Sequence, residues 1–455
     1  MASIVTETLK QELVRPLLTN IKNGIDPAFY IGLSRSNPWT GGNDSAPAPR
    51  VDISEENRFR RGLQAVIKVN SASYVVPRND WTSGTFYSQY DDKNILSDYP
   101  TANPFYVMND NNQVFICLQI GRDTTGAKVA STIKPALENL HPFGTSDGYI
   151  WKFLYTVSAL EANYYMTQNY MPVRYIESVD SNSTGAENKQ WAVQNAARGD
   201  QITSFIIEDS GSNYHVDSCD FRVNGVYNPF IIRTINAGKI SKVSYAADSS
   251  TFHFQHNLDG AILTIDDTTG TGAVVRPILS TSRGFGSNAV TDLKSQMILI
   301  NSKITGNEPD FITSQDFRQI GIIKNIKDSA SSTNFSQNTG RTLNSMTLSS
   351  QAVSISADRD IVGAASGAKA WVDHVVGNTI YYHQFDSTGY VPFVVGDSIS
   401  ETGGAGEGVI LLPKIIGEAN PRSGDILYID NRAAVERVPN QTEDIKIVIK
   451  LDNCS

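Results

Sequence analysis

Residues 443–451 read Glu443-Asp444-Ile445-Lys446-Ile447-Val448-Ile449-Lys450-Leu451, and they alternate. Ile445, Ile447, Ile449 and Leu451 share one face, and Lys446, Val448 and Lys450 share the other. That period of two marks a half-buried strand. Upstream lies Ser423-Gly424-Asp425-Ile426-Leu427-Tyr428-Ile429-Asp430-Asn431-Arg432. Its apolar run, Ile426 to Ile429, is bounded by Gly424 and Asn431 and reads as a second strand. Two strands this close in sequence predict antiparallel pairing, with the chain finishing inside a sheet.

The same signal recurs toward the N-terminus, with strands expected at Phe29–Leu33, Leu63–Val69, Val114–Ile120 and Tyr149–Val157. In the third, Val114, Ile116, Leu118 and Ile120 alternate with Phe115, Cys117 and Gln119. Residues 3–23 carry Val5, Leu9, Leu13, Leu17 and Ile21 at i, i+4 spacing and read as a helix stopped by Gly24. Pro16 lies inside it and is expected to kink the helix or split it near Arg15, since proline removes a backbone donor. Long polar stretches intervene, such as 40–57 with Gly41-Gly42 and Pro47-Ala48-Pro49. On another of them, 132–141 reads as a short helix.

Two regions look inserted. From about 187 to 282 short apolar runs alternate with Gly, Ser and Asp turns: Ser204–Glu208, Phe230–Ile235, Lys239–Tyr245, Ala261–Ile265 and Ala273–Leu279. From 331 a Ser/Thr/Asn-rich stretch leads into a second β-rich segment ending near 412, with a hairpin over Val372–Val376 and Thr379–Phe385. Glycine turns precede short strands at Gly270–Ala273, Ser366–Ala368 and Gly404–Gly408. Recurrent turn chemistry explains that echo better than a true repeat.

At 455 residues the chain is long enough for about three domains, and 40% hydrophobic residues suffice for a sizeable core. A net charge of −9 speaks against nucleic acid as a partner, which calls for a basic surface. Arg58-Phe59-Arg60-Arg61 is the one tight basic cluster, expected to be a solvated face or a set of ion-pair partners. No window reaches the eighteen or so apolar residues of a membrane span, and no signal peptide is apparent. Cys117, Cys219 and Cys454 are widely spaced, which suits free thiols in a reducing compartment.

Gly144-Thr145-Ser146-Asp147-Gly148 matches the spacing of a serine-hydrolase elbow, which needs a strand before it and a helix after it. Here a strand follows, so the match reads as a turn. His253 and His256 would point to opposite faces of a strand. His374 and His383 flank the expected hairpin and could approach across it, without a third ligand. His141 and His215 are isolated. Asp91-Asp92, Asp110-Asn111-Asn112 and Asp266-Asp267 lack the EF-hand pattern. No catalytic, cofactor-binding or metal-binding residues are assigned, and the chain is expected not to be an enzyme. Trp39, Trp81 and Trp151 sit beside turns and read first as core, second as interface anchors.

Five segments, in order along the chain, together resemble a baseplate wedge subunit of T-even-type contractile-tail bacteriophages. Residues 29–39 (FYIGLSRSNPW) resemble its "strand, then small-Arg-Ser-x-Pro-Trp", and Pro77-Arg78-Asn79-Asp80-Trp81 its "PR-x-DW". Asp147-Gly148-Tyr149-Ile150-Trp151 resembles its "DGY-hydrophobic-W", and Asp316-Phe317-Arg318-Gln319-Ile320-Gly321-Ile322-Ile323 its "FRQI-x-II". Residues 423–432 and 441–449 resemble its C-terminus. The resemblance covers roughly 1–186, 283–330 and 413–455.

The resemblance implies a homodimeric structural protein of the virion tail, assembled in the bacterial cytoplasm and bound to other baseplate wedge proteins. The expected fold is mainly all-β: a layered β-sandwich with an N-terminal helix, short loop helices and β-rich insertions. Residues 1–186 would form the N-terminal part of the sandwich core, 187–282 an insertion and 283–330 a core segment. Residues 331–412 would form a second insertion, and 413–455 the C-terminal core strands. Partner contacts are expected on the loops 40–57, 82–113 and 331–351. The alternative is a host-glycan-binding adsorption module, with Trp371, Tyr381, Tyr382 and Tyr390 available for sugar stacking. A third reading, a polysaccharide-degrading enzyme, needs a carboxylate pair that the sequence does not place.

Overall fold

The fold comes from a computed structural model. It describes residues 6–24, 26–42, 45–199, 202–215, 220–223, 226–227, 231–245, 263–266, 269–304, 316–349, 353–438 and 441–450. The protein is mainly all-β, 40% strand against 13% helix, built from several antiparallel sheets. It divides into two compact units. One comprises Met1–Leu13, Ser73–Leu299 and Val448–Ser455, and the other Val14–Ala72 and Ile300–Ile447.

The first unit is organised around strand Gln113–Gln119, which pairs with Tyr106–Met108 and Ile150–Thr156. The strand alternates as its sequence predicts, but both faces are buried. Val114, Ile116 and Leu118 enter one core with Leu154 and Tyr155. Phe115 and Cys117 enter a second with Trp151 and Phe153. A strand covered on both sides carries apolar residues at every position. Helix Gly185–Ala196 supplies Val193 to the second core. Sequence reading assigned this stretch to a β-rich insertion. Its signal was the capping box Thr184-x-x-Glu187, in which each side chain satisfies the other's backbone N–H.

Strands Ile202–Ser212 and Thr271–Leu279 form a long antiparallel ribbon, and Ile231–Asn236 and Lys239–Tyr245 a hairpin. Residues 132–141 form no helix. Pro135 biases Lys134 away from helical dihedrals, and Thr132 and Ile133 donate their N–H groups to Asp147 instead.

The second unit holds a five-stranded antiparallel sheet in the order Thr339–Arg341, Leu63–Lys68, Phe29–Ser34, Asp316–Lys324, Asp425–Glu436. Gly32 and Gly321 are register partners on its central strands. Helix Ile53–Arg61 lays Phe59 over them, with the Phe59 ring where a Cβ on Gly321 would stand. The helix falls in a stretch expected to be loop; Asp52, whose side chain caps the Glu55 N–H at 2.8 Å, was its start signal. Ser34 Oγ donates to Phe59 O at 2.7 Å, and Arg60 donates to the carbonyls of Ser423 and Gly424. The basic cluster is thus spent on this anchorage and on ion pairs of Arg58 with Glu55 and Arg61 with Asp386.

The unit's other sheet has six strands, from Asn344–Thr347 through Thr379–His383, Lys369–Val376, Arg359–Gly363 and Ser398–Glu401 to Glu407–Val409. Its two edges meet. Leu348 bridges Ile410, Ser345 bridges Ile415, and Leu411 N–H donates to Thr347 O at 2.9 Å. The sheet closes on itself, which removes exposed edges. Its interior holds Met346, Ile361, Val372, Ile380, Tyr382 and Ile399. The polar stretch 331–351 therefore contributes two strands, Thr339–Arg341 and Asn344–Thr347, rather than a free loop.

Two further expectations need correction, the pairing of the last two strands and the apolar stripe of the first helix. The strands near the C-terminus do not pair with each other: Asp425–Glu436 pairs with Asp316–Lys324, while Glu443–Lys450 lies in another sheet beside Met297–Ile304. A strand's partner is chosen by contact energy over long separations, not by closeness along the chain. The N-terminal helix, Glu7–Asn23, runs through Pro16 unsplit. Its buried face is Gln11, Val14, Leu18 and Ile21, and Leu9 and Leu13 are exposed. A strict i+4 stripe drifts around a helix of 3.6 residues per turn; alternating i+3 and i+4 steps keep to one face. Gly24 ends the helix at φ 62 as expected, donating its N–H to Asn20 O.

Candidate interaction surface

The residues that carry the five sequence motifs act as cross-links. Arg35 adopts φ 65 and lays its guanidinium 4.0 Å over the Trp39 ring, while Trp39 Nε1 donates to Arg432 O at 2.9 Å. Arg78 grips Asp80 with two nitrogens at 2.9 Å, and Trp81 Nε1 donates to Ser131 Oγ. Asp147 accepts from the N–H groups of Thr132 and Ile133 and from Ser131 Oγ. Burial pulls its carboxyl up, but hydrogen bonds from the Thr145 hydroxyl and from the N–H groups of Ile133, Thr132 and Tyr149 hold it below the usual range. Gln319 donates to Asn431 at 2.7 Å.

Arg318, Ser36, Asp373 and His383 join the two sheets of the second unit, all buried. Ser36 Oγ donates to Asp373 Oδ1 at 2.5 Å, and His383 Nδ1 lies 2.7 Å from Asp373 Oδ2. Arg318 donates to Ser36 O and pairs with Asp316 at 2.7 Å. Serine, histidine and aspartate meet here, but in the wrong order for nucleophilic catalysis. Activation requires the histidine on the hydroxyl, whereas here the carboxylate stands between them. The arrangement is a polar latch. Sequence reading missed it because its members are separated by up to 347 positions, between Ser36 and His383.

The remaining candidates disperse. Ser146 sits exposed in a hairpin turn, where Gly148 N–H donates to Thr145 O and strand Ile150–Thr156 follows, so the elbow context is missing. A bulge at Asp373 sets His374 opposite Tyr381 and His383 opposite Trp371, keeping the two histidines apart. His215 is exposed and bonds Thr269, and His141 is exposed. His253, His256, Cys219 and Cys454 lie outside the described residues, as does Asp267 of the Asp266-Asp267 pair. Asp91 and Asp92 grip Arg276, and Asp110 pairs with Lys134. Among the described residues no three His, Cys, Asp or Glu groups gather as a metal site, and no helix is long and apolar enough to cross a membrane. Cys117 is buried, and burial pushes its thiol up.

Trp151 is fully buried, Trp39 nearly so, and Trp81 half-buried. The four aromatics considered for sugar stacking do not form one platform. Tyr382 is in the closed sheet's core, Tyr381 lies under Arg341, and Tyr390 stands apart between Arg61 and Arg422.

Lys152 and Asp292 are buried in the first unit. Burial pulls the Lys152 ammonium down to about 8, against the attraction of Asp292. Burial pushes the Asp292 carboxyl up to about 7, although it accepts from Gly286 N–H, Thr281 Oγ1 and feels Lys152. A carboxyl raised above its unfolded value binds its proton more tightly in the folded state. Its stabilising contribution is complete below about pH 4 and is lost as pH rises through about 7. Asp292→Asn is expected to flatten the fall in stability over that window. Urea melts across it would show the flattening, and parallel curves for variant and wild type would acquit Asp292.

A group of exposed aliphatic residues lies around the closure of the six-stranded sheet. Val394, Val395, Leu411, Leu412, Ile415 and Ile416 are each about half exposed. They are neighbours: Gly396 N–H donates to Ile410 O at 2.8 Å and Ile410 N–H to Asp397 O at 3.0 Å. Ser345 and Ile415 exchange backbone hydrogen bonds at 2.9 Å. Ile410 is buried, whereas the aliphatic residues that follow it along the closing segment stay about half exposed. The doublets Leu411-Leu412 and Ile415-Ile416 around Pro413-Lys414 were a readable sign, because in an extended chain one member of each doublet must leave the core. No family model matches this chain, and a search of curated proteins finds no relative.

Proposed function

We propose that this protein is a structural subunit of a contractile-tail baseplate wedge, a homodimer that binds neighbouring wedge proteins in the pre-contraction baseplate. The five ordered motifs support the reading, and their residues serve as cross-links between elements. The observation that carries it furthest is the aliphatic surface of Val394, Val395, Leu411, Leu412, Ile415 and Ile416. Exposed aliphatic residues grouped on neighbouring segments are the kind of surface that marks protein–protein contact. Its occupant in this reading is a neighbouring wedge protein. Contacts are thereby moved from the polar loops first considered to the closure of the six-stranded sheet. Deleting 331–351 would remove two strands, so point substitution is the sounder probe.

Leu411→Asp with Ile415→Asp is expected to leave the melt of the purified chain within about 0.5 kcal/mol of wild type, since neither side chain is in the core. In phage carrying the double variant, baseplates seen by electron microscopy should be incomplete and lack this chain by mass spectrometry. Normal baseplates containing the variant would remove this surface as the docking face. Absence of the wild-type chain from baseplates would remove the wedge reading itself.

A further inference from the structure

We propose that a polar cleft in the first unit binds an anionic sugar unit, a single ring bearing a phosphate or a carboxylate. The cleft measures about 280 Å³ and is bounded by the turn after Gly121, the ribbon strand Ile202–Ser212 and the hairpin Ile231–Asn236/Lys239–Tyr245. That volume is at the small end of ligand pockets, room for one ring rather than a chain. Arg122, Thr125, Ser210, Asn236, Lys239 and Ser241 present two cations, three hydroxyls and an amide to it.

Among the described residues the charged groups lining the cleft, Arg122 and Lys239, are both cationic, in a chain whose net charge is −9. Arg122 is half-buried, and the loss of water lowers its guanidinium pKa. Its NH1 donates to Gly126 O at 2.6 Å. Among the described residues no carboxylate pairs with Arg122 or Lys239. The acids adjacent in sequence have other partners: Asp123 Oδ1 accepts from Thr125 N–H, Thr125 Oγ1 and Ala127 N–H within its own turn, Asp209 accepts from Gly211 N–H, and Glu208 is held by Arg276 at 2.9 Å. A partly desolvated guanidinium without an anion is a place for a charge-assisted hydrogen bond.

The walls are preformed. Gly126 abuts the Ser241 backbone so closely that a Cβ would stand 2.8 Å from Ser241 O. Ala237 and Gly238, at φ 49 and 72, make the tight turn that matches strand twist. Ile240 is fully buried beneath, and Ser241 Oγ donates to Thr234 O, leaving its oxygen free to accept. Among the described residues no aromatic ring lines the cleft, so they offer a neutral sugar no stacking face; the anion must supply the affinity and the ring hydroxyls the fit. This site is separate from the aliphatic surface, and its failure leaves the wedge reading untouched.

Calorimetric titration of the full chain with glucose 6-phosphate, glucuronate, glucose and inorganic phosphate tests it. One of the two anionic sugars is expected to bind at one site per chain, and which one binds identifies the anion. Glucose should not bind under the same conditions. Arg122→Gln and Lys239→Gln should each weaken binding about tenfold, the loss of one charge-assisted contact. Lys239 is exposed, so its variant reads out binding even if Arg122→Gln folds poorly. Failure of both anionic sugars to bind, undiminished binding in Lys239→Gln, or inorganic phosphate matching glucose 6-phosphate would each overturn the proposal.

Discussion

Phe59→Ala is expected to destabilise the second unit by about 3–5 kcal/mol, the range for removing a fully buried aromatic side chain. Phe59 has no exposed surface, and its ring covers the Gly32–Gly321 pair at the middle of the five-stranded sheet. Leu63, Val66, Ile323 and Phe335 are among the other members of the cluster. A cavity there cannot close easily, because sheet backbone lies on one side and a helix pinned by Ser34 and Arg60 on the other. The converse change also tells. A Cβ on Gly321 would stand 2.4 Å from Phe59 Cζ, so Gly321→Ala should cost about 1–3 kcal/mol by overpacking. In the Phe59→Ala background that cost should largely vanish, a coupling measurable in a double-mutant cycle. Additive costs in urea melts would mean that the ring is not what demands glycine.

Arg318→Ala should be of similar size, about 3–5 kcal/mol, the penalty for removing one partner of a buried ion pair. Arg318 is 2% exposed, donates to Ser36 O and pairs with Asp316. Its loss strips the Asp316 carboxylate of its cation and loosens Ser36, which holds Asp373 and through it His383. The pair of Arg50 with Asp52 is the contrast. It is 3.1 Å long, but Arg50 is 78% exposed, and Arg50→Ala is expected to shift stability by less than about 1 kcal/mol. Equal effects of the two substitutions in denaturant melts would show that burial is not what makes Arg318 important.

Several features were legible in the sequence because they are local. The strands at 29–34, 63–68, 113–119, 150–156 and 239–245 were marked by apolar runs between turns. Gly24 ended a helix where expected because only glycine adopts φ 62 cheaply. Helices Ile53–Arg61 and Gly185–Ala196 carried capping signals at Asp52 and Thr184, but their polar composition hid them. The buried latch around Asp373 had no local signature: bland Ser36 and bland His383 become partners only across 347 positions.

By itself, then, the chain's local order determined the all-β class, the placement of many of the strands and the positions of several turns. Side-chain alternation and backbone φ preferences act within a few residues. Only the tertiary structure decided which strands pair, that Gln113–Gln119 is covered on both faces, and that the six-stranded sheet closes between Leu348 and Ile410. It also decided which apolar side chains stay outside. Leu411 and Ile415 are as hydrophobic as Ile410, yet Ile410 is in the core and they are half exposed. The difference lies in the closing hydrogen bonds of the sheet, which join residues about 60 positions apart and set which way each side chain points.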